Sequence, residues 1–84
     1  DVLVIGGGIV GLAAAHSLAD RGADVTLVET GSLGGGSTAR SAGGVRSQFF
    51  SRVNVELSLA SKRVWDTFEE RFGVDIGLRK NGYL

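Results

Sequence analysis

Two short apolar segments flank a helical pattern at the start of the chain. Val2–Ile5 is an unbroken aliphatic run, which is typical of a parallel strand buried on both faces. Residues 9–21 are rich in Ala and Leu and predict a helix, which Gly22 ends. Val25–Val28 is a second, mostly apolar strand segment. The order strand, helix, strand over about thirty residues predicts a Rossmann-like βαβ unit of an α/β fold.

A helical periodicity returns in residues 51–72. Apolar side chains recur there at intervals of three or four positions, which predicts one long amphipathic helix. Ser51 or Asn54 is suited to be its N-cap, and Gly73 is suited to end it. The apolar stripe consists of Val53, Leu57, Ala60, Val64, Phe68 and Phe72.

The last residues indicate a change to antiparallel structure. Residues 76–80 form a candidate strand, and Asn81-Gly82 is a strong hairpin signal. Tyr83-Leu84 would begin the return strand. A hairpin does not belong to the parallel sheet of the first unit. We therefore predict that residues 1–73 belong to a nucleotide-binding domain and that residues 74–84 begin a second domain.

The turn between the first strand and the helix has the glycine pattern of a dinucleotide site. Gly6 allows a sharp turn, Gly8 allows a pyrophosphate to approach the backbone, and Gly11 allows the helix to pack on the strand. The unpaired N–H groups of the first helical turn are suited to bind the phosphates. Glu29, eighteen residues after Gly11, would accept hydrogen bonds from an adenosine ribose, and its charge disfavours a 2′-phosphate. The alternative is a turn with a structural role only.

Residues 30–44 have two interpretations. They leave the carboxyl end of the second strand, where open α/β sheets bind ligands. Their Gly and Ser content is equally typical of a flexible linker, so composition leaves linker and cofactor cradle open. The groups that a cradle would use are Ser37, Thr38, Arg40, Ser41, Gly43 and Gly44.

Composition narrows the classes of function. Nine basic and nine acidic residues cancel, so there is no electrostatic basis for binding nucleic acid or an anionic membrane. No cysteine is present, no metal site is predicted, and the single histidine, His16, is expected to have a packing or surface role. No apolar run is long enough to span a membrane, and a cytoplasmic protein is expected. Two parallel strands do not complete a doubly wound sheet, so we expect an N-terminal fragment of a longer enzyme.

Three segments resemble the D-amino-acid oxidase-like FAD-dependent oxidoreductases. They are Asp-Val-Leu-Val-Ile-Gly-Gly-Gly-Ile-Val-Gly-Leu at residues 1–12, Gly-Ser-Thr-Ala-Arg-Ser-Ala-Gly-Gly-Val-Arg at residues 36–46, and Asn-Gly-Tyr-Leu at residues 81–84. Within that family the chain is similar to the branch of sarcosine oxidase, dimethylglycine dehydrogenase and glycine oxidase. The resemblance covers essentially the whole chain. It implies a glutathione-reductase-type FAD/NAD(P)-binding fold, followed by the start of an antiparallel substrate-domain sheet.

The same resemblance implies FAD as cofactor and oxidation of the C–N bond of an amino acid or N-methyl amino acid by hydride transfer to the flavin. Arg46 falls where such enzymes hold the substrate carboxylate, and a guanidinium is a planar, bidentate partner for that group. An ordinary surface or phosphate-facing arginine is the alternative. The residues that the resemblance assigns to FAD are Gly6, Gly8, Ile9, Val10, Gly11, Glu29, Thr30, Ser37, Thr38, Arg40, Ser41, Gly43, Gly44 and Val45.

A second class of function stays open beside the enzyme. It is a non-catalytic FAD- or NAD-binding module or an electron-transfer subunit. An NAD-dependent dehydrogenase is disfavoured by the Ser/Gly segment after Glu29. The histidine that some relatives carry beside the flavin is replaced here by Thr38-Ala39, so covalent flavin attachment through this segment is not expected. The expected partners are an amino-acid or amine substrate and an oligomer or partner subunit, and 84 residues alone are expected to be inactive.

Overall fold

The computed structural model describes residues 1–82. In chain order the elements are β1 (Val2–Ile5), α1 (Ile9–Asp20), β2 (Val25–Val28), α2 (Arg52–Asp66) and α3 (Phe68–Phe72). The chain divides into two compact units, and the boundary between them falls between Gly43 and Gly44. The predicted boundary between domains after residue 73 is a separate matter and stays a prediction.

The first unit is a βαβ unit, as predicted. β1 and β2 pair in parallel, with Val2 opposite Val25 and Ile5 opposite Val28. α1 connects the two strands and packs against both. The sequence forms this arrangement because both strands are short apolar runs and the segment between them is rich in strong helix formers.

The sheet is covered on one face, so the prediction that Val2–Ile5 is buried on both faces is wrong for this structure. Exposure alternates along each strand, with the more covered positions on the side of α1. Leu3 and Ile5 are 59% and 81% exposed. The physical reason is that the described residues supply one helix to the sheet, whereas a parallel sheet needs cover on both faces.

The second unit contains two helices where one long helix was predicted. Ser51 is the N-cap of α2, and its side chain accepts a hydrogen bond from the Asn54 N–H. Of the two predicted N-caps, Ser51 is therefore confirmed and Asn54 is not. The helix is interrupted at Thr67, whose hydroxyl donates to the carbonyl of Arg63 at 2.8 Å. A β-branched residue that bonds back to the preceding turn weakens a helix at that point.

The end of α3 agrees with the sequence-based expectation. Gly73 adopts a left-handed conformation with φ 71°, and its N–H donates to the Glu69 carbonyl at 2.8 Å. Aromatic contacts hold the region around the interruption together: the Trp65 and Phe68 rings stack with centroids 6.0 Å apart, and the Phe68 and Phe72 rings lie 4.5 Å apart. The contact between Trp65 and Phe68 therefore joins α2 to α3 across the break.

The predicted strand at residues 76–80 is not formed. Residues 74–82 contain neither helix nor strand. A strand needs a neighbour to bond its backbone, and the described residues offer none to this segment. The predicted return strand at Tyr83-Leu84 lies outside the described residues. Within residues 1–82, no helix is long and apolar enough to cross a membrane.

Candidate functional site

The glycine turn between β1 and α1 has the close approach that its pattern predicts. Gly6 has φ 109°, a left-handed value that side-chain-bearing residues rarely adopt. A Cβ at Gly11 would collide with the carbonyl oxygen of Gly6 and would lie 3.5 Å from Val4 Cγ1. The absence of a side chain at Gly11 therefore lets the first turn of α1 lie directly on β1.

The first amides of α1 face an open region. Gly8 is the N-cap, with extended backbone and no capping side chain. The N–H of Ile9 donates to Thr38 Oγ1 at 2.9 Å. Within residues 1–82, no protein acceptor lies at hydrogen-bonding distance from the N–H groups of Val10 and Gly11. These two donors lie at the positive end of the helix dipole, which favours an anion.

Glu29 lies beside the glycine turn at the carboxyl end of β2. Its Oε2 accepts from the Gly31 N–H at 2.7 Å, and its Oε1 accepts from the Gly7 N–H at 2.9 Å. These backbone hydrogen bonds, that of Gly31 first and that of Gly7 second, lower the pKa of the Glu29 carboxyl, and a 3.5 Å contact from the Thr30 hydroxyl adds to them. The carboxylate is ionised at neutral pH and keeps lone pairs for further donors.

The segment after Glu29 folds against the glycine turn. The Gly34 N–H donates to the Gly7 carbonyl at 2.7 Å, and a Cβ at Gly7 would lie only 2.6 Å from Leu33 Cδ2. Farther along, the Ser41 hydroxyl accepts from the Gly43 N–H at 2.9 Å. The linker interpretation of residues 30–43 is therefore not supported, because turns and long-range hydrogen bonds hold them on the βαβ unit.

The glycine turn, the start of α1 and part of this segment enclose an open cleft. Its volume is about 630 Å³, a size that small-molecule sites commonly have. Its lining is mostly apolar, with backbone amides and three hydroxyl groups as the polar elements. The predicted site residues that line it are Gly6, Gly8, Ile9, Val10, Gly11, Ser37, Thr38 and Ser41.

The other predicted residues lie elsewhere. In the first unit, Glu29 and Thr30 lie beside the glycine turn. Arg40 belongs to a separate turn, in which its N–H donates to the Ser37 carbonyl. Gly43 is the last residue of the unit. Gly44, Val45 and Arg46 belong to the second unit. There the Arg46 guanidinium lies over the Phe49 ring, 4.7 Å from its centroid.

Sequence reasoning missed three residues of the first unit, namely Gly7, Leu33 and Gly34. Gly7 is buried; its N–H donates to Glu29, its carbonyl accepts from the Gly34 N–H, and Leu33 lies over it. The triple glycine at residues 6–8 was a usable signal, because a variable middle position of the motif need not be glycine. Nothing local in the sequence indicated that Leu33 would lie on the turn.

The geometry defines the class of protein. A parallel βαβ unit, a glycine turn that opens onto two free helix amides, and a carboxylate at the end of the second strand are together the features of a dinucleotide-binding unit. The family model described as FAD dependent oxidoreductase matches residues 1–84. The chain belongs to this family.

Curated relatives share the match along the whole chain. Glycine oxidase of Geobacillus kaustophilus is 36% identical over all of this chain and 24% of its own length. The mitochondrial pyruvate dehydrogenase phosphatase regulatory subunit of Mus musculus is 32% identical over all of the chain and 10% of its own length. Sarcosine oxidase subunit beta of an Arthrobacter species is 31% identical over all of the chain and 21% of its own length. No solved structure matches the chain.

These matches confirm the predicted family and branch, to which mitochondrial dimethylglycine dehydrogenases also belong. The chain spans about a quarter or less of the length of these relatives. FAD is the cofactor of the family. The site fits the ADP portion of FAD, because Val10 and Gly11 offer free amides, Gly8 has no side chain, and Glu29 offers a carboxylate.

Proposed function

We propose that the protein is an FAD-dependent oxidoreductase that oxidises the C–N bond of an amino acid or N-methyl amino acid. The observation that carries the proposal is the whole-chain match to the family together with two relatives named glycine oxidase and sarcosine oxidase subunit beta. When bound, FAD supplies the acceptor for the hydride that leaves the substrate carbon. The chain's own residues bind the cofactor and orient the substrate.

The first unit binds the cofactor in this proposal. Val10 and Gly11 donate their free N–H groups to the pyrophosphate, and Gly8 leaves room for it. Glu29 accepts hydrogen bonds from the ribose hydroxyls with its remaining lone pairs. The hydroxyls in the cleft and the charge of Arg40 belong to the same cradle. The full set assigned to FAD is Gly6, Gly8, Ile9, Val10, Gly11, Glu29, Thr30, Ser37, Thr38, Arg40, Ser41, Gly43, Gly44 and Val45.

Arg46 holds the substrate carboxylate in this proposal. Its guanidinium is free of acidic partners, since none of the three ion pairs among residues 1–82 involves it. The guanidinium lies over the Phe49 ring, 4.7 Å from its centroid, which is a favourable cation–π contact. A planar guanidinium binds a carboxylate through two parallel hydrogen bonds and so positions the α-carbon.

A second candidate is a non-catalytic FAD-binding module or electron-transfer subunit. The relative named as a regulatory subunit favours it, because that protein is as similar over this chain as sarcosine oxidase subunit beta is. The first unit serves both candidates equally. Arg46 distinguishes them, since a module without turnover has no need of a carboxylate anchor. As the sequence analysis leads us to expect, the proposal includes a cytoplasmic location, a second domain that begins after residue 73, and an oligomer or partner subunit.

The test is an absorbance spectrum of the full-length protein before and after anaerobic addition of glycine, sarcosine, dimethylglycine and other amino acids. Bleaching of the flavin by one of them supports the enzyme, whereas a flavin spectrum that no amino acid changes supports the module. Arg46→Ala and Arg46→Lys should then raise the substrate concentration needed for half-maximal bleaching by tenfold or more, consistent with the loss of a charged hydrogen bond of about 1.5–3 kcal/mol. Arg52→Ala is the matched control, because the Arg52 side chain is 91% exposed and, among residues 1–82, forms an ion pair with Glu56 alone.

A further inference from the structure

The helix that begins at the glycine turn has no cap of its own. Its N-cap, Gly8, lacks a side chain, and no acidic residue occupies the first turn. In contrast, α2 takes its cap from the adjacent Ser51. The missing group for α1 comes from 29 residues farther along: Thr38 Oγ1 accepts from the Ile9 N–H at 2.9 Å. A serine or threonine oxygen on a first-turn amide is the usual capping interaction, although it normally comes from the N-cap residue itself.

We propose that Thr38 is a positioning residue that caps α1 from the following segment and so prepares the phosphate-binding end of the helix. The inference rests on the proposed cofactor site and assigns different roles to the three amides of the first helical turn. The amide of Ile9 is committed to Thr38, and the amides of Val10 and Gly11 are left for the ligand. The site therefore receives two oriented donors, and the third amide anchors the segment that forms the wall of the cleft.

The direction of the hydroxyl hydrogen follows from the same bond. A threonine hydroxyl is one donor and has two acceptor lone pairs. Because Oγ1 accepts from the Ile9 N–H, the hydroxyl hydrogen points away from that amide. No acceptor for it occurs within residues 1–82, and Thr38 lines the cleft together with Val10 and Gly11. The Thr38 hydroxyl is therefore available as a further donor to an anion held in the cleft.

Gly8 is part of the same device. A Cβ at Gly8 would lie 3.1 Å from Thr38 Oγ1, which is closer than ordinary contact allows. A side chain there would force the hydroxyl to shift by a few tenths of an ångström, which would weaken its hydrogen bond with the Ile9 N–H. The absence of a side chain at Gly8 therefore serves the capping bond as well as the approach of the ligand.

The experiment compares Thr38→Val, Thr38→Ser and the wild type in the full-length protein, freed of FAD. Binding of FAD and of ADP is measured by calorimetry, and hydrogen exchange over residues 6–12 by mass spectrometry. Thr38→Val removes the hydroxyl at nearly constant shape. It should weaken both ligands about tenfold and accelerate exchange at the start of α1 without ligand. Thr38→Ser keeps the oxygen and should restore both properties.

Thr26→Val is the matched control, because it makes the same chemical change on β2, at a residue that does not line the cleft. It should leave affinity and exchange unchanged. Wild-type exchange in Thr38→Val, or affinity lost equally in Thr38→Ser, would overturn the capping role. A wild-type protein that binds neither FAD nor ADP would refute the proposed cofactor site instead, and faster exchange in Thr38→Val would still support the cap. Unchanged affinity with faster exchange would refute the preparation of the site.

Discussion

Gly11→Ala is the sharpest test of the close packing between α1 and β1. Alanine is the better helix former, and by propensity alone the change would stabilise α1 by about 1 kcal/mol. The structure predicts the opposite sign. The new Cβ would collide with the carbonyl oxygen of Gly6 and lie 3.0 Å from its carbonyl carbon, where carbon atoms prefer about 3.5–4.0 Å.

The obstacle is backbone, so no side-chain rotation relieves it. The start of α1 must move away from β1, and overpacking of this kind costs about 1–3 kcal/mol. Because a backbone carbonyl cannot yield easily, we take the upper end of this range. Subtracting the gain in helix propensity leaves a net destabilisation of about 2 kcal/mol. The same movement displaces the free amides of Val10 and Gly11, so FAD affinity should also fall.

The assay is urea unfolding of the cofactor-free full-length protein followed by circular dichroism, with FAD titration of the folded protein. Gly36→Ala is the matched control. A Cβ at Gly36 meets nothing within 4 Å, and its φ lies outside the left-handed region. It should be neutral or stabilising by up to about 1 kcal/mol, through a less flexible unfolded state. If Gly11→Ala were as stable as Gly36→Ala and bound FAD normally, the argument from close approach would be wrong.

Three further changes test other contacts. The pKa of Glu29 is lowered in the folded state, so its contribution to stability is present above the unfolded pKa and is lost as the pH falls through the folded pKa. In urea unfolding measured at a series of pH values, Glu29→Gln should therefore reduce the loss of stability between about pH 6 and 3. Ser51→Ala should destabilise α2 by about 0.5 kcal/mol in the same assay, the low end for a cap, because the Asn54 N–H lies 3.5 Å from the hydroxyl. Thr67→Ala should join α2 and α3, with slower hydrogen exchange at residues 66–69, because alanine removes the bond to the Arg63 carbonyl and favours helix.

The sequence was sufficient for the parts of the fold in which several signals agree. Strand propensity, the glycine turn, the helix and Gly22 all indicate the same βαβ unit, and each lies next to its partner in the chain. Prediction failed where a single residue, or the absence of a neighbouring strand, determines whether an element forms. The apolar stripe continues through Thr67, and periodicity does not detect a hydroxyl that bonds back to its own helix. Hairpin chemistry at residues 81–82 likewise cannot create a strand without a neighbour.

The site divides along the same line. The roles of Gly6 and Gly11 were readable because conformation and close approach are local properties of a turn. The contacts of Gly7 with Glu29 and Leu33, and the capping bond between Ile9 and Thr38, join residues 22 to 29 positions apart. Their geometry depends on how residues 30–43 fold over the turn, and composition left that segment open between linker and cradle.

The long-range contacts explain why similar segments occur both in proteins named as oxidases and in one named as a regulatory subunit. Hydrogen bonds join the turn to Glu29 and to Thr38 within residues 1–43, so the cradle that we propose for the ADP portion lies inside a single unit. None of these hydrogen bonds depends on the identity of the substrate. Similarity to oxidases and to a regulatory subunit is then expected, because what these relatives share with the chain is the means of holding a cofactor. A substrate must be recognised by groups outside the cradle. In our proposal Arg46, a charged residue of the second unit, binds the substrate. Removing it should therefore alter the response to amino acids while leaving FAD affinity intact, whereas Thr38→Val should weaken FAD binding whatever the substrate is.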